Sequence, residues 1–180
     1  MKIIKTNIDD LLLIKPKIYS DNRGHFFESW NKNIFNENII NVNFIQDNQS
    51  LSKKGVIRGL HFQNPPYAQG KLVRVIKGKV LDVALDIRKK SKSYGKYFSI
   101  ELSGENNFML WIPPGFAHGF STLEDNTIFS YKCSGKYNKE SENSILWNDP
   151  NLNINWKVKN PIISDKDQKS QKFTNFNSKF

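Results

Sequence analysis

The sequence holds one cysteine, Cys133, among 180 residues. No disulfide can form within the chain, which excludes a disulfide-stapled scaffold and fits a reducing compartment. With no partner to make it a reactive thiol, Cys133 reads as a small buried apolar group. Long apolar runs are missing near the N-terminus, where the longest is Leu11 to Ile14, behind Asp9 and Asp10. That is neither a signal peptide nor a membrane span, so a soluble cytoplasmic protein with no membrane partner is expected. Internal repeats and low-complexity runs are absent. There is also no block of five or six basic residues, although Lys plus Arg number 27 against 17 acidic residues, a net charge of +10. Such a charge fits either an anionic partner or a lysine-rich solvated surface. Its scattered placement favours the surface. With no nucleic-acid motif and no basic stripe, a nucleic-acid partner is not expected.

What is present is a globular composition, 38% hydrophobic and 13% aromatic, in a length that suits one domain with a sizeable core. Period-2 alternation dominates. In "KLVRVIKGKVLDVALDIRKK", residues 71 to 90, Gly78 between two lysines predicts a hairpin. On its second arm Leu81, Val83, Leu85 and Ile87 share a core face. Val80, Asp82, Ala84, Asp86 and Arg88 share the other, which is too polar for a dry interior unless it is surface or lines a wet cavity. Further strands are predicted over Phe44–Gln49, Val56–Phe62, Tyr97–Leu102, Met109–Ile112, His118–Thr122 and Thr127–Lys132, with turn-rich pieces between them. This pattern predicts an all-β sandwich, jelly roll or barrel. One short helix is predicted at about Trp30–Asn36. The last dozen residues are polar and read as a loosely held tail.

Three histidines carry the candidate chemistry: His25, His61 and His118. "RGLHFQ", residues 58 to 63, sets Arg58, Gly59 and His61 in an otherwise apolar strand. Arg58 and His61 are three apart, so a regular strand sends them to opposite faces. A bulge at Gly59 would bring both to one face. The clustering of Arg58, His61, Gln63 and Lys71 points to a site wall. His25, beside a turn in "DNRGHFFES", reads as a partly buried residue with one satisfied hydrogen bond. A metal site usually takes three or four protein ligands. Cupin-type jelly rolls commonly supply a His-x-His pair, a carboxylate and a distant His. Here "LHFQ" offers one histidine where two are expected, although "PPGFAH" fits the second motif, so no metal is expected. Taken alone, Tyr131 in "TIFSYK" reads as core, and Asp165 and Asp167 in "SDKD" as loop residues.

The segments "DNRGHFFESW", "IQDNQS", "GVIRGLHFQ", "AQGKLVRVIKGKVLDVALDIR", "LWIPPGFAHGF", "YKCSGKYNKESENSILWND" and "SDKD" resemble, in order and spacing, the dTDP-4-dehydrorhamnose 3,5-epimerases. The likeness covers residues 1 to 168, which it implies form one domain ahead of a polar tail, 169 to 180. It implies an all-β cupin-type jelly roll (a double-stranded β-helix) with short peripheral helices, forming a homodimer and working without metal or organic cofactor. It implies inversion of C3 and C5 of dTDP-4-dehydro-6-deoxy-D-glucose, on the route to dTDP-L-rhamnose for cell-surface polysaccharide such as O-antigen. By this resemblance His61 is the base with Asp167 as its carboxylate partner, Tyr131 is the acid on the opposite face, and Lys71 lies by the C4 oxygen. Arg23, Glu28, Gln46, Asp47, Asn48, Arg58, His118, Glu142 and Lys166 match substrate-contacting positions, those of "DNRG…E" coming from the partner subunit. Tyr137 falls in a variable stretch of the site, and "NPPYAQG" departs from the family pattern before Lys71. The alternatives are an epimerase of one carbon only, on a related nucleotide 4-ketosugar, and a cupin that binds a sugar nucleotide without catalysis.

Overall fold

The computed structural model describes residues 1–38 and 41–180. Its strands are β1 (Lys2–Lys5), β2 (Leu12–Lys15), β3 (Tyr19–Asp21), β4 (Gly24–Phe26), β5 (Gln46–Ser52), β6 (Ile57–Gln63), β7 (Lys71–Lys77), β8 (Lys79–Asp86), β9 (Tyr97–Ser103), β10 (Met109–Ile112), β11 (Phe116–Thr122), β12 (Thr127–Cys133) and β13 (Glu142–Ser144). Among the described residues two short α-helices accompany them, α1 (Lys32–Asn38) and α2 (Asp165–Gln168), with a 3-10 turn at Phe173–Asn175. Helix α1 starts two residues later than the sequence suggests, because the Asn31 side chain accepts from the N–H groups of Asn33 and Ile34 and caps it.

The strands form a six-stranded sheet, ordered β1-β2-β10-β7-β12-β5, facing a five-stranded sheet, ordered β13-β6-β11-β8-β9. Strands β3 and β4 stand apart as a hairpin. The layers follow from strand alternation. Val73, Val75 and Phe129 from the first sheet meet Val80, Ala84 and Phe120 from the second in a shared core. The outer face of the five-stranded sheet is also buried, with Leu81, Val83 and Leu85 packed under Leu152, Trp156 and Phe176. Phe35 of α1 packs with Leu72, Met109 and Trp111 outside the six-stranded sheet. The all-β jelly-roll expectation therefore holds.

Three expectations are corrected. Residues 71 to 90 are not a hairpin: β7 and β8 lie in different sheets, and Gly78, at φ +80°, turns a corner between them. A Cβ there would lie 2.3 Å from Thr127 Oγ1. The polar face of β8 is neither surface nor wet wall, for Asp82 and Asp86 are both 0% exposed. Each has a specific partner. Asp86 accepts from Arg88, Ser91 and Ser93, and Asp82 faces His118 at 2.9 Å. The tail is held firmly. Phe176 and Phe180 pack edge-on against Phe62 at 5.3 and 6.4 Å between centroids, and the Ser178 hydroxyl donates to the Ile87 carbonyl.

The bulge at Gly59 is present. Across the β6–β11 pair His118 faces His61 and Phe120 faces Arg58, so three steps on β6 match two on β11. Gly59 sits at φ +145°, and a Cβ on it would lie 2.5 Å from the Cα of Gly119. We expect Gly59→Ala to destabilise the fold by about 3 kcal/mol, combining backbone strain and overpacking. Urea unfolding measures this, and a loss below about 1 kcal/mol would contradict the tight backbone contact.

Burial pushes the Asp86 carboxyl up, but its bonds to Arg88, Ser91 and Ser93 outweigh that and hold it below the ordinary value. Its stabilisation is therefore complete above the unfolded-chain value near ~3.9 and is lost as pH falls through the lowered folded value. Thermal midpoints measured from pH 5 down to pH 2 should fall for the native chain and fall less steeply for Asp86→Asn.

Candidate active site

A cavity of about 540 Å³ opens between the two sheets and the segment carrying α2, beside a second lobe of about 290 Å³ that shares lining residues with it. His61, Lys71 and Tyr131 line both lobes and so stand at their junction. His61 comes from β6 in the five-stranded sheet, while Lys71 and Tyr131 come from β7 and β12 in the six-stranded one. The imidazole thus faces the amine and the phenol from the opposite wall.

The bulge decides what β6 presents. Leu60 and Phe62 enter the outer core, while Arg58 and His61 both line the cavity. His61 Nε2 lies 2.6 Å from Asp167 Oδ1. Asp167 is carried by α2, outside the sheets. The segment bearing it is held by parallel bridges Val56–Ile162 and Ile145–Gln171. Ser164 caps α2 by accepting from the Asp167 N–H, and the Gly59 N–H donates to Asp167 Oδ2 at 3.4 Å. Burial raises the Asp167 carboxyl, yet its bonds to His61, Gly59 and Ser164 prevail and keep it below its ordinary value. A carboxylate only accepts, so His61 carries its proton on Nε2 and its lone pair on Nδ1.

Lys71 has no hydrogen-bond or ion-pair partner among the described residues, and its ammonium lies 5.9 Å from the Tyr131 ring centre. Burial pushes its pKa down, against the pull of Cys133, Asp82 and Glu142. Tyr131 is moved the other way: burial raises its phenol, and Arg58 opposes. At neutral pH the phenol keeps its proton and can donate it. Arg58 Nε donates to Ser52 Oγ at 3.3 Å, the one hydrogen bond its guanidinium makes among the described residues. Lys166 lines the same lobe and pairs with Glu142 at 2.6 Å.

The second lobe is lined by Gln46, Asn48, Tyr137 and Glu142. The Tyr137 hydroxyl donates to Glu142 Oε2 at 3.0 Å. Gln63 is buried and holds the loop before Tyr137, donating to the carbonyls of Tyr67 and Lys136 and accepting from the Asn138 N–H. His118 is 6% exposed and lines the first lobe.

Three residues singled out from the sequence lie outside the cavity of the single chain. Asp47 belongs to the outward face of β5 and pairs with Lys132 at 2.8 Å, because alternation turns it away from its neighbours Gln46 and Asn48. Arg23 and Glu28 lie at or beyond the β3–β4 hairpin. Arg23 is exposed and pairs with Asp21 at 2.6 Å, and Glu28 accepts from Asn31. His25 is corrected as well: it is exposed and stacks on Phe27 at 6.0 Å. Sequence reasoning missed Asp82 and Ser50 at the site. Ser50 Oγ is buried without a partner among the described residues, and the residue lines the first lobe. Among the described residues, no three His, Cys, Asp or Glu side chains converge as a metal cage. The cavity's two histidines are each bound to a carboxylate of their own.

A family model described as dTDP-4-dehydrorhamnose 3,5-epimerase matches residues 5–175. A Shigella flexneri protein of that name is 53% identical over 174 residues, covering 96% of each chain. Among solved structures, the dTDP-4-dehydrorhamnose 3,5-epimerase of Elizabethkingia anophelis superposes with a TM-score of 0.95 at 46% identity, covering 98% of both chains. A Legionella pneumophila dTDP-6-deoxy-D-glucose-3,5-epimerase, solved with dTDP-4-keto-L-rhamnose, gives 0.94 at 46% identity, covering 98% of this chain and 94% of its own. With a match of this extent in both sequence and structure, the chain belongs to the dTDP-4-dehydrorhamnose 3,5-epimerase family.

Proposed function

We propose that the chain inverts C3 and C5 of dTDP-4-dehydro-6-deoxy-D-glucose, as a dTDP-4-dehydrorhamnose 3,5-epimerase on the route to dTDP-L-rhamnose. The observation that carries this reading is an imidazole on one wall and an amine and phenol on the other, all at one junction. Both carbons neighbour the C4 ketone. Removing the proton from either gives an enolate whose charge gathers on the C4 oxygen, so one carbonyl activates two centres. His61 takes the proton on Nδ1, and the Asp167 carboxylate stabilises the imidazolium that forms. Lys71, with no hydrogen-bond or ion-pair partner among the described residues, supplies positive charge to the C4 oxygen as the enolate develops. Tyr131 returns a proton from the opposite face, which inverts the centre. Steps of this kind are each worth about 10²–10⁴ in rate.

Arg58 and Lys166 put cations in the first lobe, suited to a diphosphate. Glu142 and Tyr137 line the second lobe, beside the nucleotide and sugar. Arg23 and Glu28, remote from this chain's own cavity, are read as reaching the site of a second copy. The exposed Tyr19 and Phe26 on the same hairpin, 54% and 66% accessible, support a homodimer that covers them.

The direct test is incubation with the 4-keto nucleotide sugar in D2O, with deuterium at C3 and C5 followed by NMR. Label at both carbons is expected. Label at C3 alone identifies a single-centre epimerase, and no label overturns the catalytic reading. His61→Ala should abolish exchange at both carbons, and Asp167→Asn should slow it by about 10²-fold or more. Tyr131→Phe should impair inversion more than initial proton removal. A fully active Tyr131→Phe would remove the phenol from the mechanism.

A further inference from the structure

Asp82 has no part in the steps above, yet it is 0% exposed and stands directly behind His118, with Oδ2 2.9 Å from Nε2. Its Oδ1 is buried with no hydrogen-bond partner among the described residues. A buried carboxylate with an unsatisfied oxygen is costly, and an apolar residue would pack β8 more cheaply. Its value lies in what it does to His118.

His118 is held on several sides. Phe129 stacks almost parallel to its ring, 6.1 Å and 20° away, and Phe120 stacks on Phe129 at 4.2 Å. These rings set the imidazole plane, and Asp82 sets its rotation within that plane. Directly across the strand pair is His61, whose own carboxylate lies elsewhere, on α2. Burial pushes the His118 imidazole below its ordinary value, Asp82 opposes, and Lys71 and His61 add to the lowering. A neutral imidazole carries one N–H. A carboxylate at Nε2 can only accept, so that proton sits on Nε2 and the Nδ1 lone pair is left over. Nδ1 has no hydrogen-bond partner among the described residues, and the side chain lines the cavity.

We infer that Asp82 is a positioning residue that locks His118 in its Nε2–H tautomer, so that the cavity floor beside His61 accepts a hydrogen bond from a hydroxyl of the bound sugar. The hydroxyl rests on the epimerase reading; the tautomer lock does not. The arrangement divides the polar groups of the wall by role. Lys71 and Arg58 can only donate, and they suit the carbonyl and phosphate oxygens. His118 can only accept, so it repels those oxygens and suits a neutral hydroxyl. A ring hydroxyl caught there fixes which ring carbons face Nδ1 of His61.

The test needs no variant to begin with. Nitrogen-15 NMR of the full chain with labelled histidine should show His118 protonated on Nε2 and bare on Nδ1. In Asp82→Asn the new amide should donate to Nε2 and move the proton to Nδ1, with the chain still folded by its thermal midpoint. Deuterium exchange into the 4-keto sugar should then slow by roughly 10- to 100-fold, taking the loss of a partner that orients a metal-bound histidine as the scale. In a His118→Gln background the same change should have no further effect on exchange, because Asp82 acts through His118. A His118 protonated on Nδ1 in the native chain overturns the inference. So does an Asp82→Asn chain that keeps both tautomer and rate, or one that loses the same factor without His118. A native chain that shows the tautomer and its switch but exchanges no deuterium separates the two ideas: the lock stands and the epimerase reading fails.

Discussion

The site depends on one close contact between backbones. Gly59 and Gly119 meet where β6 and β11 pair, so closely that a Cβ on Gly59 would stand 2.5 Å from the Gly119 Cα. This contact gives β6 room for an extra residue, and the extra residue changes which way its neighbours point. In a regular strand Arg58 or His61 would enter the outer core, where Ile57, Leu60 and Phe62 now sit. A guanidinium or imidazole there would have to be paired or abandoned. With the bulge, both reach the cavity while all three apolar neighbours stay buried. The same Gly59 supplies an N–H to Asp167, so the residue that turns His61 inward also helps hold its carboxylate.

That carboxylate is fixed from behind. Phe62, next to His61 but pointing the other way, receives Phe176 and Phe180 on the outer face of the sheet. The chain that lays Asp167 over the front of β6 therefore ends by clamping the back of the same strand. The two sides of the His61–Asp167 bond are tied together through the core as well as through the bond itself.

The sequence makes much of this legible where a local rule applies. Strand β10 is found at its observed limits, and β9 and β12 are found to within a residue at one end. The bulge follows from strand parity and one glycine. What fails is whatever depends on distant chain segments. A Lys-Gly-Lys turn is locally the same whether the next strand folds back beside the last or crosses to the other sheet, so Gly78 reads as a hairpin. The carboxylates of β8 read as surface or wet wall because alternation cannot reveal that their face, with Val80 and Ala84, turns to the opposite sheet while a later segment covers the leucine face. The tail reads as loose because its phenylalanines are spaced among polar residues and their sites on Phe62 and the outer sheet lie far away in sequence. Asp47 shows a related limit: a motif match marks "QDN" as a unit, but the pleat sends its middle residue to the other side. The pairing of His61 with Asp167, 106 residues apart, entered through family resemblance and could not have come from periodicity.

Two histidines lie side by side on one wall of this cavity, on the paired strands β6 and β11, both bound through Nε2 to an aspartate and both left with a lone pair on Nδ1. Tautomer alone does not make one of them the better base. A base must end the step as an imidazolium, so what matters is how each surrounding treats the charge. His61 has a side chain 30% exposed, at the junction of two lobes. The His118 side chain is 7% exposed, between phenylalanine rings, with the Lys71 ammonium nearby and His61 on the neighbouring strand. Desolvation and like charge both oppose its protonation. A proton arriving on His61 would raise that opposition further, so the two rings disfavour being charged together. In the proposed reaction, burial suits His118 to accept a hydrogen bond and leaves proton transfer to His61. It is how deeply each ring is buried in the same sheet, more than the identity of the side chains, that makes the distinction.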